Sequence, residues 1–134
     1  MMATIQKFED LKCGQHARSL CKLIFQLTSK DLFSKDFSLG NQMNSSSGSV
    51  MDNIAEGFER EGTKEFIQFL SIAKGSPGET HSQLIRALDR NYISKQEFSH
   101  AAAWVTQING TLKGLIKYLR SSEIKGYKYK VEEN

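Results

Sequence analysis

The chain has 134 residues, 39% of them apolar and 25% charged, with a formal net charge of +3. That length allows one domain spanning 1–134 with a real hydrophobic core, and that balance excludes a disordered chain. No apolar run approaches the roughly 20 residues that span a bilayer, and Met1-Met2-Ala3-Thr4-Ile5-Gln6 lacks an apolar signal core, which points to a cytoplasmic protein with no membrane partner.

Charge is unevenly placed. Residues 1–30 carry five Lys or Arg against two acids, and residues 91–120 carry four against one. Residues 37–60 carry one base against three acids. The positive charge therefore falls on the first and last helical segments.

Residues 1–7 read as a loose arm. The first helix is expected from about Phe8 to Ser29, with Phe8, Leu11, Ala17, Leu20, Ile24 and Leu27 inward and Leu23 and Phe25 widening the stripe. Gly14 inside it costs about 1 kcal/mol relative to Ala, which tertiary packing must offset. Cys13 and Cys21 are eight residues apart on that helix, about 12 Å by helical rise. An intrachain bridge cannot reach that far, so both are ordinary thiols. Lys30–Asp36 reads as a connection with at most a helical turn.

The second helix is expected from about Ser38 to Phe58, with Leu39, Met43, Val50, Ile54 and Phe58 inward. Its middle, Ser45-Ser46-Ser47-Gly48-Ser49, has little bulk and also fits a flexible linker. The four-residue spacing resumes in phase beyond it, which favours helix. Small residues there let a neighbouring helix approach closely.

Thr63 is the expected cap of the third helix. Phe66, Phe69, Leu70 and Ala73 face inward first, then Leu84, Ala87 and Leu88. Pro77 lies between, at a cost of roughly 3 kcal/mol in a helix interior. Either one helix continues with a kink near Pro77, or it stops at Gly75 and restarts with Ser76 as cap and Glu79 closing a capping box. The shared apolar face favours the kinked, near-continuous form. Ser94 and Glu97 form a capping box for the fourth helix, with Ile93 and Phe98 as its staple. Phe98, Ala101, Val105, Ile108, Leu112, Leu115 and Leu119 then alternate by three and four, a seam of bundle type. Trp104 and Ile116 widen it. Residues 121–134 read as a tail. The expected fold is all-α, an antiparallel up-down-up-down four-helix bundle with its core at about 8–120.

Asn53-Ile54-Ala55-Glu56-Gly57-Phe58 stands out within this pattern. So do Lys64-Glu65-Phe66-Ile67-Gln68-Phe69-Leu70, Ile72-Ala73-Lys74-Gly75-Ser76, Leu84-Ile85-Arg86-Ala87-Leu88 and Tyr92-Ile93-Ser94-Lys95-Gln96-Glu97-Phe98. In this order, with Phe8-Glu9-Asp10-Leu11 before them, they resemble the bacterial four-helix-bundle family of 23S ribosomal RNA intervening-sequence proteins. That family includes the accessory variability determinants of diversity-generating retroelements. The resemblance covers about residues 8–120. It departs at Cys13-Gly14, where the family is bulky, and at Pro77-Gly78, where the family has an apolar helical residue. It also departs at Asn44 and Ser49-Val50-Met51-Asp52, where the family tends to Arg and an apolar-Pro-Ser run. Losing that Arg weakens a carry-over of nucleic-acid binding through the second helix. The resemblance implies a helical bundle assembled as a ring-like homopentamer. In the retroelement branch it also implies binding to nucleic acid and to a reverse transcriptase.

The residues show no catalytic order of Ser, His and Asp and no phosphate-cradling Gly loop, so no enzyme and no cofactor are expected. Cys13 and His16 share a face, but a zinc site needs three or four ligands and the others are missing, so no metal is expected. Asn53, Glu56 and Gly57 read as a structural motif that satisfies backbone groups at the turn. The candidate nucleic-acid residues are basic. Lys113, Lys117 and Arg120 share a face at the end of the fourth helix. Arg18 and Lys22 are four apart on the first, and Lys7 and Lys12 join the set if helices one and four touch. One use of such a set is to complement the helix dipole and keep the surface soluble. The other is to track phosphates of RNA or DNA, with Tyr118, Tyr127 and Tyr129 adding stacking. The sequence thus points to a self-associating helical bundle with a basic surface for nucleic acid, or else to a protein-binding scaffold.

Overall fold

Residues 45–49, poor helix formers one by one, lie in mid-helix in the computed structural model, which describes residues 2–122 and 130–132. The helices are α1 (Lys12–Thr28), α2 (Phe37–Phe58), α3 (Thr63–Ala73), α4 (Ser76–Asp89) and α5 (Lys95–Ser122). Short 3-10 turns at Phe8–Asp10 and Asp31–Lys35 precede α1 and α2. The architecture is all-helical, with α3 and α4 together filling the third position of a four-helix bundle. α1 packs on α2 and α5, and α3 and α4 pack on the same two helices from the other side.

The serines of α2 serve both of its neighbours. Ser46 Oγ lies 2.7 Å from Thr80 Oγ1 and 2.7 Å from Gln83 Oε1 of α4, all three residues buried. Ser76 donates to Ser49 one turn further on. On the other flank Cys21 of α1 donates to the Ser47 carbonyl, and Asn44 donates to Thr28. Buried polar groups normally find partners, and this set does. From Gln42 to Ser49 along α2, the partners on α4 recede from Arg86 to Ser76, so these two helices run in opposite directions. α1 and α5 do the same, since His16 meets Thr111 and Lys30 meets Glu97.

Bulk around the serines supplies the core. Leu39, Met43, Val50, Ile54 and Phe58 of α2 are all buried, as are Ala101, Val105, Ile108, Leu112, Leu115 and Leu119 of α5. Each large side chain among them contributes about 1.5–3 kcal/mol on leaving water. At Gly57 the α2 backbone passes close against α3. A Cβ there would lie 2.7 Å from Phe69 Cβ, so the crossing needs glycine. Gly14 likewise lets the Phe8 carbonyl sit where a Cβ would be, at 2.7 Å.

Several local expectations are corrected. The α1 helix begins at Lys12, because the chain first makes the separate turn at Phe8–Asp10. Phe25 is 66% exposed, since one step past buried Ile24 swings a side chain about 100° off the core face. Gly62, not Thr63, holds the cap position of α3. The third position is divided at Lys74 and Gly75, whose backbones keep right-handed helical angles (φ −65°, ψ −21° and φ −75°, ψ −29°). Pro77 enters at the start of α4, where its missing N–H costs least. Ser76 makes no cap bond there, its hydroxyl being given to Ser49. The arm and the tail are also tied. Met2–Thr4 (β1) pairs antiparallel with Lys130–Glu132 (β2), Met2 opposite Glu132 and Thr4 opposite Lys130. Three residues per strand are too few to show alternation in a sequence. No helix among the described residues is long and apolar enough to cross a membrane.

Candidate nucleic-acid interface

α5 starts with the expected capping box. The Ser94 N–H donates to Glu97 Oε1 at 2.8 Å, and the Glu97 N–H donates to Ser94 Oγ at 3.0 Å. From there the seam of α5 faces the core, and the phase of every other side chain follows at about 100° per residue. α1 lies on the flank of Trp104 and Thr111, whose ring and hydroxyl meet His16. α4 lies on the flank of Phe98, which meets His81.

These two contacts place the cations. Lys113, Lys117 and Arg120 are exposed and stand between about 120° and 180° around α5 from Thr111. They stand only about 40–100° from the Phe98 direction. They therefore flank α3, and the sequence reading had them beside α1. Lys12 is at the same end of the bundle but on the α1 flank of α5. The end is shared, and the cations surround the last turns of α5 on both sides.

Lys64 belongs to the same surface and was missed. It lies 17 residues before His81, so about 25 Å down α3 and α4, which is level with the segment between Lys113 and Lys117. It is exposed. The signal was present in the sequence but needed the third helix to be placed beside the fourth. None of Lys64, Lys113, Lys117 and Arg120 forms an ion pair with a described residue. Glu97 is the only carboxylate in α5, and it lies in the first turn. Gly114 lies between Lys113 and Lys117 and Gly110 lies one turn before it, both with open space where a Cβ would stand.

Arg18 and Lys22 sit elsewhere. Both are exposed on the α2 side of α1 and line a groove of about 310 Å³ with Phe8, Gly14 and Met51. Lys7 is exposed just before the first turn. Tyr118 is half-buried against the core, and Tyr127 and Tyr129 lie outside the described residues. Asn53 donates to the Ser49 carbonyl one turn back, and Glu56 is an exposed partner of Arg60 at 2.7 Å. Arg60 in turn stacks over Phe69, 4.9 Å from its centroid.

At the opposite end Asp36, Arg90, Lys30 and Glu97 are engaged. Asp36 caps α2 by accepting the Leu39 N–H, and its other oxygen accepts the Tyr92 hydroxyl and the Arg90 guanidinium. The Leu39 N–H first, then Tyr92 and Arg90, hold the Asp36 carboxyl below its ordinary range. The Ser94 N–H, then Lys30, do the same for Glu97. His16 is held below its ordinary value by partial burial and then by Lys12. Burial pushes the Cys13 thiol up to about 12, so it is a poor thiolate donor. No cluster of His, Cys, Asp and Glu among the described residues is arranged to hold a metal ion.

A family model described as 23S rRNA-intervening sequence protein matches residues 9–114. Among solved structures, a protein of unknown function from the S23 ribosomal protein family of Bacteroides thetaiotaomicron is similar. It is 23% identical, with a TM-score of 0.71 over 78% of this chain and 95% of that one, a likeness of fold. No curated protein matches the chain.

Proposed function

The chain belongs to the family of 23S rRNA-intervening sequence proteins, and from that membership we propose that it is a cytoplasmic, non-enzymatic, self-associating bundle that binds the phosphate backbone of RNA or DNA. The observation that carries this reading is the outer surface at the end of α5. Lys113, Lys117 and Arg120 stand there beside Lys64, and none of them forms an ion pair with a described residue. Lys12 extends the positive end across to α1. Clustered cations of this kind release condensed counterions from a nucleic acid and gain affinity without reading its sequence. Gly110 and Gly114 support the reading. An exposed helical glycine costs about 1 kcal/mol relative to Ala, and neither has a neighbour that needs the space. A low helix back beside and between the cations lets a phosphate come close.

The non-enzymatic part rests on how the interior polar groups are used. Ser46, Thr80 and Gln83 are engaged with one another. A ring of five copies and a reverse-transcriptase partner are what the family resemblance adds. A protein-binding scaffold is the second reading, favoured by Phe25, Leu32 and Phe37, which are 60–75% exposed. Filter retention of a labelled single-stranded RNA and a matching DNA separates the two. Retention that weakens steeply with added salt is expected. No retention at low salt, or retention indifferent to salt, overturns the nucleic-acid reading and leaves the scaffold.

A further inference from the structure

Two outer faces of the bundle match each other. On α1, Arg18, Lys22 and Phe25 are spaced four and three, so they lie along one side of the helix. All three are exposed, Phe25 at 66%, and α1 contains no carboxylate. On α3 and α4, Glu65, Ile72 and Glu79 are spaced by seven. The helical backbone angles at Lys74 and Gly75 keep them on one side. These too are exposed, Ile72 at 53%. None of the four charged residues forms an ion pair with a described residue.

The spacing agrees as well as the sign. Arg18 lies seven residues from Phe25, and Ile72 lies seven from each of its two carboxylates. Seven residues are about 10.5 Å of helix. Placing Phe25 against Ile72 thus brings Arg18 level with Glu65 or with Glu79, whichever way the helices run. α1 and α3–α4 occupy opposite corners of the bundle, each touching α2 and α5. One partner copy cannot meet both faces.

We propose that the α1 face of one copy docks on the α3–α4 face of a second copy of this chain, Phe25 against Ile72 with Arg18 and Lys22 facing Glu65 in one helix direction or Glu79 in the other. The contact is heterologous, so it builds a ring if the rotation closes and an open chain if it does not. The inference rests on the self-association in the function proposed above and is independent of its nucleic-acid part. It also gives Arg18 and Lys22 a use apart from the cations at the end of α5.

Light scattering on nuclease-treated protein at low salt tests it. Three samples are compared: the native chain, Arg18→Glu/Lys22→Glu, and Glu65→Lys/Glu79→Lys, each with its helical content checked by circular dichroism. The native chain is expected to exceed a dimer. Each variant alone should weaken assembly by at least about tenfold, through like charges set face to face. An equimolar mixture of the two variants should reassemble, because each then offers what the other lacks. A monomeric native chain overturns the inference together with self-association. A native assembly that both variants retain, or that their mixture fails to restore, overturns the assigned faces alone.

Discussion

Two sets of charges, one at each end of the bundle, are used in opposite ways. At the end holding residues 29–36 and 90–94, Asp36 caps α2 and binds Tyr92 and Arg90, while Lys30 binds Glu97. The rings of Phe33 and Tyr92 stack beneath, 5.1 Å apart. These contacts join two connections that are distant in sequence. At the other end Lys64, Lys113, Lys117 and Arg120 have no such partners among the described residues. The first set of charges holds the fold, and the second is left for something outside it. Exposed ion pairs are individually weak. The engaged end gains from carrying its pairs on caps and stacked rings, which already fix the geometry.

This contrast fails or sharpens under substitution. The largest effect is expected from Lys113→Glu/Lys117→Glu/Arg120→Glu. Affinity for a nucleic-acid oligomer should fall about a hundredfold or more at low salt. Urea stability should stay within about 0.5 kcal/mol of the native chain, as for surface changes away from packing. Equal losses in both would make the free end structural as well.

Asp36→Ala is the converse. It removes a helix cap and the anchor of Arg90 and Tyr92, and the melting temperature should drop by about 4 °C. Nucleic-acid affinity, compared well below both melting points, should not move. Acid should act on the engaged end in the same sense. The Asp36 and Glu97 carboxyls are held below their ordinary values of 3.8 and 4.5 when folded. Their contribution is therefore complete above those values and is lost as pH falls through the lower folded ones. Thermal melts from pH 6 downward should show this loss, and Asp36→Asn should flatten it. Smallest is Gly110→Ala, expected to stabilise by about 1 kcal/mol in urea while weakening nucleic-acid binding a few-fold. A gain in stability with no change in binding would remove the glycines from the surface.

Much of the fold was legible because single helices announce themselves. The seam from Ala101 to Leu119 is buried as its spacing requires, and the Ser94–Glu97 box closes as written. The serines of α2 read as a place of close approach, and Ser46 and Ser49 do meet α4. What stayed hidden was angular. The antiparallel order expected for the first and last helices put Lys12 and Lys117 at one end, and the contacts of His16 and Lys30 with α5 have them at that end. That order did not say on which side of α5 the helix α1 would lie. That is decided by His16 against Trp104 and Thr111, a contact between residues far apart in sequence. Lys64 was overlooked for the same reason. The pairing of Met2–Thr4 with Lys130–Glu132 joins the two extremes of the chain, and no local pattern encodes it.

The most direct test of the free end is the slope of log affinity against log salt for a single-stranded oligomer. Each phosphate neutralised contributes about −0.7 to that slope. If Lys113, Lys117 and Arg120 each meet a phosphate, replacing all three by Gln should make the slope shallower by about 2. An unchanged slope, with affinity merely shifted or not shifted at all, would contradict the account.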